Sequence, residues 1–367
     1  MRISLVTDTY LPEVNGVTTV LATMRDGLRR RGHAVQVVAP AYDVLGPDEE
    51  DVARRPSIPF PPYPAIRLSL PWGDDVAGAL DRFRPDLIHV VTEGPIGGLG
   101  RRHALRVRIP LVTSFHTDFP RYAGRYLGRW AVGPTREYLR AFHRPAFVTQ
   151  TPSSITRDEL RSFGIPHAVV WGRGVDTALF TPERRQVSGL DGPVRVLHVG
   201  RLAKEKDTAT LIGAFRAARA ELGDAARFCV AGDGPEGSAV REALPWAEHL
   251  GFVDRLTLAR LYADADLFVF PSPTETCGLV ALEAMAAGIP VVAAAAGGIL
   301  DNVRDGINGF AVTAGDSAAF ACAIAELVRN RPRRGAMAAA ARAFALARGW
   351  EQELDALEPM YQAAVPV

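Results

Sequence analysis

Short, mostly apolar and β-branched runs recur along the chain, separated by stretches with helical periodicity. In the first half they cover residues 3–7, 35–39, 87–91, 111–114 and 147–150. None alternates with polar positions, so each predicts a strand buried on both faces. Asn15-Gly16 opens a predicted helix over 17–31, and Gly32 stops it before the next strand. Alternating strands and helices of this kind predict an α/β, doubly wound parallel sheet. The pattern restarts at 194–199, 228–231, 267–270 and 291–293, so two Rossmann-like domains are expected. The turn-rich stretch 172–193 reads as the linker. That places one domain at 1–178 and the other at 179–349. A last helix over 351–364 carries Trp350, Leu354, Leu357 and Tyr361 at helical spacing. No strand follows it, and residues 350–367 are expected to return to the first domain.

Composition narrows the picture. A chain of 367 residues, 48% hydrophobic, can bury two cores. A formal net charge of +1 offers no field for nucleic acid. Cys229, Cys277 and Cys322 lie far apart without CxxC spacing, against a disulfide framework or structural zinc. The opening MRISLVTDTYLP is too short for a signal peptide, and no run reaches the roughly 20 apolar residues of a spanning helix. The expectation is a cytoplasmic protein, with peripheral attachment at the inner membrane face left open. Asp48-Glu49-Glu50-Asp51 and Asp74-Asp75 read as solvated acidic pairs, and no metal motif is visible.

The segment from Ser272 to Pro290 carries the most chemistry. A strand ends at 270, a loop bears Glu275, a helix starts near Gly278 and Gly288 stops it. Glu275 thus precedes a helix N-terminus, and Glu283 lies one and a half turns inside. Both carboxylates can accept from sugar hydroxyls, and the amides of Cys277, Gly278 and Leu279 can donate. Arg201 and Lys206 follow the strand 194–199, at the rim where such sheets bind ligands. Fixed cations there suit a leaving group that gains negative charge. A capped helix and a solvated basic loop are the plainer readings of the same residues. Asn15-Gly16 is a phosphate-friendly turn or an ordinary one. His116 is a rim histidine near a reaction centre or a satisfied polar residue. Gly232-Asp-Gly234-Pro-Glu-Gly237 is a literal GxGxxG, but Pro235 disturbs the dinucleotide turn.

As an ordered set, several segments resemble family 4 retaining glycosyltransferases of the GT-B fold: Pro12-Glu-Val-Asn15-Gly16-Val17, Ser114-Phe-His116-Thr-Asp118, Arg173-Gly-Val-Asp176, Gly200-Arg201-Leu-Ala-Lys-Glu-Lys206, Ala231-Gly-Asp-Gly-Pro235 and Glu275-x₇-Glu283. The resemblance spans nearly the whole chain. It implies that Glu275 and adjacent amides hold the donor sugar, Glu283 the ribose, and Arg201 and Lys206 the diphosphate. It puts Asn15 and Gly16 near the β-phosphate, His116 on the donor sugar, and Gly234 near the nucleotide. Two facing lobes would close over a nucleotide-sugar donor, with no metal ion or other cofactor.

The segments Trp171-Gly-Arg-Gly-Val-Asp176 and Thr92-Glu-Gly-Pro95 look most like bacterial GDP-mannose-dependent α-mannosyltransferases and sulfoquinovosyltransferase-like enzymes. Mannose is therefore the favoured hexose and a lipid-linked hydroxyl the favoured acceptor, with UDP-hexoses next. A nucleotide-sugar 2-epimerase and a binding-only homologue are the remaining alternatives. Gly251-Phe-Val253-Asp254 should flank the base. Asp254 could accept from guanine, or it could cap a helix over 257–263. Arg121, Arg125, Arg129, Arg136, Arg140 and Arg144, interleaved with Tyr122, Tyr126, Leu127 and Trp130, suit a solvated face or an anionic membrane surface. Gly133-Pro134 interrupts any single helix there. Cys277, Asp207 and Asp301 depart from the family's usual Phe, Gly or Asn, and Glu.

Overall fold

The structure is a computed structural model that describes residues 1–13, 15–43, 51–60, 63–69, 75–187 and 192–365. The chain forms two compact units. One comprises Met1–Gly172 with Glu351–Val367, the other Arg173–Trp350.

In the first unit the elements are β1 (Arg2–Val6), α1 (Gly16–Arg30), β2 (Ala34–Pro40), β3 (Val52–Arg55), β4 (Ser57–Phe60), β5 (Tyr63–Ser69), α2 (Asp75–Phe83), β6 (Leu87–Val90), α3 (Pro95–Val107), β7 (Leu111–Ser114), α4 (Phe119–Tyr126), α5 (Val132–His143), β8 (Val148–Thr151), α6 (Ser154–Ser162) and β9 (Ala168–Val170). Seven strands form one sheet in the order β3-β2-β1-β6-β7-β8-β9. All its pairings are parallel. The antiparallel hairpin β4–β5 stands apart from it. Strands β6, β7 and β8 are buried at every position, polar residues such as His89, Thr113 and Gln150 included. Asn15 caps α1: its Oδ1 accepts from the amides of Val17 and Thr18, both at 2.9 Å. The Thr18 hydroxyl accepts from the Asn15 amide, closing the box.

The second unit contains β10 (Val194–Val199), α7 (Thr208–Leu222), β11 (Ala226–Ala231), α8 (Gly237–Ala243), β12 (Glu248–Gly251), α9 (Arg255–Asp264), β13 (Leu267–Phe270), α10 (Leu279–Ala286), β14 (Val291–Ala294), β15 (Gly309–Val312), α11 (Ser317–Arg329) and α12 (Arg331–Leu346). Its six-stranded sheet runs β12-β11-β10-β13-β14-β15, again all parallel. Two edge strands eluded the sequence pattern for physical reasons. The β12 sequence Glu-His-Leu-Gly shows no fully buried position. Strand β15 opens on Gly309, where a Cβ would stand 2.0 Å from the Val291 carbonyl oxygen. Glycine there weakens the strand signal while permitting the close pairing.

The stretch expected to be a linker is packed structure. Arg173, Val175 and Phe180 are buried in the second unit, and Arg185 donates to the carbonyls of Ala263 and Ala265 and to Asp266. The boundary falls at Gly172, earlier than the expected 178; residues 188–191 lie outside the described set.

The final helix α13 (Trp350–Ala364) belongs, from Glu351 on, to the first unit. Leu354, Leu357 and Tyr361 are fully buried. Leu354 rests on Gly27, where a Cβ would come within 2.3 Å of it. The Tyr361 hydroxyl lies 2.6 Å from His89 Nδ1, and His89 Nε2 lies 2.7 Å from Ser114 Oγ. At the rim Arg31 meets Glu351, Asp355 and Glu358 at 2.7–3.0 Å. Such partly exposed pairs add little stability beside the apolar face.

Candidate active site

In the second unit the strand order reverses between β10 and β13, and ligands of open α/β sheets bind outside such a point. The loops leaving these two strands carry Arg201 with Lys206, and Glu275. The first loop runs through a 3₁₀ turn, Lys204–Lys206, to Asp207, whose φ of 56° is left-handed. Asp207 then caps α7, accepting from the Thr210 amide and hydroxyl at 3.3 and 2.7 Å. This explains the departure from Gly or Asn: aspartate tolerates the conformation and adds a cap.

Lys206 Nζ is paired with Glu275 Oε1, the same oxygen that accepts from Ser272 Oγ at 3.0 Å. Thr274 Oγ1 donates to the Glu205 carbonyl at 2.9 Å, tying the two loops together. Arg201 Nη1 lies 3.7 Å from Glu205 Oε1. Arg201, Lys206 and Glu275 are therefore held within one loop system.

Gly232 and Gly234 brace that system. The amide of Gly200 donates to the Ala231 carbonyl and that of Leu202 to the Asp233 carbonyl, both at 3.0 Å. A Cβ on Gly232, where φ is 131°, would stand 2.0 Å from the Gly200 carbonyl oxygen; on Gly234 it would stand 2.4 Å from that of Leu202. The structure thus gives Gly234 a scaffold role behind Arg201.

Glu275 is also held through its backbone. Its carbonyl accepts from the Gly298 amide at 2.7 Å. Cys277 is buried, and its carbonyl accepts from Asn302 Nδ2 at 2.6 Å. Gly278 is the N-cap of α10 with φ 77° and no side-chain cap, so the helix's first amides, from Leu279 on, are not consumed by a capping side chain.

Glu283 lies inside α10, where Tyr262 Oη donates to its Oε2 at 3.4 Å. Burial pushes its carboxyl up to about 7, with Arg255 and the Tyr262 hydroxyl pulling the other way. With the folded value raised, the group's stability contribution is complete below the ordinary carboxylate range and is lost as pH rises through about 7. If Glu283 holds the ribose, as the resemblance implies, nucleotide binding runs oppositely, because an ionised carboxylate is the better acceptor for two ribose hydroxyls. The expected result is GDP or UDP affinity rising by up to about tenfold from pH 6 to 8, with a flatter profile in Glu283→Gln. Calorimetric titration across that range decides it, and parallel profiles would remove Glu283 from the ribose.

At the proposed base flank, Val253 is half-buried against the core and Phe252 is 77% exposed. Asp254 is the N-cap of α9. Its Oδ1 accepts from the amides of Leu256 and Thr257, and Oδ2 from the Thr257 hydroxyl at 2.6 Å. These bonds, the Thr257 hydroxyl foremost, hold its carboxyl below the usual range. The capping reading is therefore realised, on a side chain that remains exposed.

The first unit is arranged independently. Gly16 is exposed at the start of α1, while the Asn15 side chain is spent on capping and on bonds to Thr9 and Glu13. His116 is half-buried, two residues beyond β7. Sequence reasoning missed Asp8, beside the β1/β6 reversal. Its carboxylate accepts from the amides of Ile96 and Gly97 at the start of α3 and from the Thr92 hydroxyl. Burial pushes that carboxyl up against those bonds. It also missed His143, buried 3.3 Å from Glu93 of the Thr92–Pro95 segment. Only the position of Asp8 after a predicted strand could have signalled it.

The basic stripe is broken differently than expected. The chain turns at Leu127 and at Gly128, whose φ is 101°, whereas Gly133 and Pro134 sit in the first turn of α5, where proline is tolerated. Arg121 pairs with Asp118, Arg140 with Glu137, and Arg136 stacks on Phe163. Trp130 is 73% exposed and Leu127 62%. The side chains of Tyr122, Arg125 and Tyr126 lie outside the described set, as do residues 48–50, Asp74 and Val14. Among the described residues no helix is long and apolar enough to cross a membrane, and no group of three or more His, Cys, Asp or Glu could hold a metal ion.

Comparison with known proteins agrees with this geometry. Residues 193–330 match the family model of glycosyl transferases group 1, and residues 14–179 that of glycosyltransferase family 4. A GDP-mannose-dependent alpha-mannosyltransferase of Corynebacterium glutamicum is 32% identical, over 96% of this chain and 86% of its own. One of the same name from Mycolicibacterium smegmatis is 34% identical, over 100% and 98%. An alpha-monoglucosyldiacylglycerol synthase of Streptococcus pneumoniae is 31% identical, over 80% and 71%. Among solved structures, sucrose-phosphate synthase from Thermosynechococcus elongatus superposes with a TM-score of 0.79 at 20% identity, covering 99% of this chain and 98% of that one. Two parallel Rossmann-like sheets, the loop system around Arg201, Lys206 and Glu275, and these relatives together place the chain among the family 4, group 1 glycosyltransferases of the GT-B fold.

Proposed function

We propose that the chain moves a hexose, mannose before others, from a nucleoside diphosphate to a hydroxyl of a lipid or glycolipid, retaining anomeric configuration. The carrying observation is the grouping of two cations and a carboxylate, Arg201, Lys206 and Glu275, at the strand-order reversal of the second unit. In the reaction the bond from the anomeric carbon to the diphosphate breaks, and the acceptor oxygen bonds to that carbon on the same face. The departing phosphate takes the acceptor's proton, so no enzymic nucleophile is needed. Arg201 and Lys206 stabilise the charge that develops on the diphosphate, and we assign no metal or further cofactor.

Guanine is favoured by the relatives' printed donor, GDP-mannose. A UDP-hexose is the second reading. It gains weight because the Asp254 carboxylate is committed to a helix cap. The lipid acceptor is supported by the diacylglycerol-linked product in one relative's name. Exposed Trp130 and Leu127 beside Arg129 suit the face of an anionic membrane, where aromatic and cationic side chains partition.

Melting curves with GDP, UDP and ADP, followed by transfer assays on lipid extracts, test the reading. One nucleotide should raise the melting temperature, since it binds only the folded state. Its hexose conjugate should then label a lipid. An isomerised nucleotide-sugar formed without acceptor would instead reveal an epimerase. No shift with any nucleotide would end the proposal.

A further inference from the structure

The loop that carries Glu275 is backed by a second segment, the 3₁₀ turn Gly297–Asp301 and the residue after it, Asn302. Two alternate carbonyls of the loop are taken by that segment. The Gly298 amide holds the carbonyl of Glu275, and Asn302 Nδ2 holds that of Cys277 at 2.6 Å. In a trans peptide the carbonyl and the following N–H point in opposite directions. Fixing the Cys277 carbonyl therefore fixes the direction of the Gly278 N–H, away from Asn302. No acceptor for that N–H is present among the described residues. Gly278 is left-handed and lacks a Cβ, so rotation of its leading peptide is resisted little by the residue itself. The peptide on its other side is already anchored, because the Gly278 carbonyl accepts from the amides of Ala281 and Leu282.

We infer that Asn302 is a positioning residue of the sugar subsite: it locks the Cys277–Gly278 peptide so that the Gly278 N–H faces the hydroxyls of the donor hexose. This rests on the donor-site reading above. Asn302 is itself held rigidly. It is 1% exposed, its amide donates to the Ile299 carbonyl, and its carbonyl accepts from Asn308 Nδ2 at 2.9 Å. Nothing in the sequence pattern marks it. A preorganised donor acts on bound substrate only if its support is rigid, and a buried, bonded asparagine supplies that rigidity.

The test compares Asn302→Ala with Asn308→Ala in the full chain. Asn308 is equally buried and belongs to the same network, but its amide supports Asn302's own carbonyl and leaves that of Cys277 untouched. Dissociation constants are measured for GDP and GDP-mannose, and for UDP and UDP-glucose. The wild type should bind the matching sugar nucleotide more tightly than its nucleoside diphosphate. In Asn302→Ala the nucleoside diphosphate should bind within about twofold of wild type, and the sugar nucleotide about tenfold more weakly. Asn308→Ala should lower the melting temperature and leave both constants unchanged. Should Asn302→Ala not fold, Asn302→Leu fills the same space without a donor. Equal loss for nucleotide and sugar nucleotide, no loss for either, or the same selective loss in Asn308→Ala overturns the inference. If the wild type binds no nucleoside diphosphate at all, the donor reading fails first and takes the inference with it.

Discussion

Alanine at Lys206 or at Glu275 lowers the turnover of sugar transfer by about two to three orders of magnitude while the second unit stays folded. The two side chains share an ion pair, and their exposures of 21% and 14% keep them partly screened. In that state each neutralises the other. On the proposed reading, donor binding exchanges these partners: the ammonium turns to the diphosphate, and the carboxylate accepts from sugar hydroxyls. Lys206→Ala removes a cation from the leaving group and also leaves Glu275 as an uncompensated anion close to incoming phosphate. Glu275→Ala frees the ammonium but removes the grip on the hexose. The first should reduce kcat most, because leaving-group charge exists chiefly in the transition state; the second should raise donor KM as well. Because the residues touch, the double variant should lose less than the product of the single losses. Steady-state rates at varied donor concentration measure all three. Near-normal turnover in both single variants would contradict the assignment.

Gly232→Ala lowers the stability of the second unit by about 3 kcal/mol or more, counting backbone strain and steric overlap together. The methyl carbon would fall 2.0 Å from the Gly200 carbonyl oxygen, and a φ of 131° is hostile to any side chain. Backbone cannot yield as a flexible side chain would. The displaced partner is the loop root that carries Arg201, so activity should fall with stability. Gly251→Ala is the control. Its φ is 62°, but nothing lies within 4 Å of the added carbon, so about 1 kcal/mol is expected. Urea unfolding followed by Trp fluorescence reads both. Equal losses would show that dihedral strain, and not the overlap, governs the site.

The sheets were legible because buried parallel strands are written as plain apolar runs. β10 and β13 fall where that pattern puts them, and the helix after Glu275 stops at Gly288. Edge strand β12 carried no such signal, since Glu-His-Leu-Gly is nowhere fully buried, and the three apolar residues of β9 are too few to stand out. At the site, charge and position after a strand were enough to single out Arg201, Lys206 and Glu275. Their mutual pairing was not foreseeable, because it depends on two loops 69 residues apart meeting. Asp254 illustrates the converse. One carboxylate allowed two readings in sequence, and the hydrogen bonds to Leu256 and Thr257 show the capping one in place. Asn302 had no signature, because its role is defined by what its amide touches.

Because α13 completes the first unit, the body made second can be the body finished first. Residues Arg173–Trp350 form a contiguous body that can consolidate as soon as it leaves the ribosome. The amino-terminal body, though made earlier, waits with the sites for Leu354 and Tyr361 unfilled until the last helix emerges. Nascent chains released short of that helix should therefore expose an apolar groove and a His89 without its Tyr361 partner, and so should be the species that chaperones and proteases recognise.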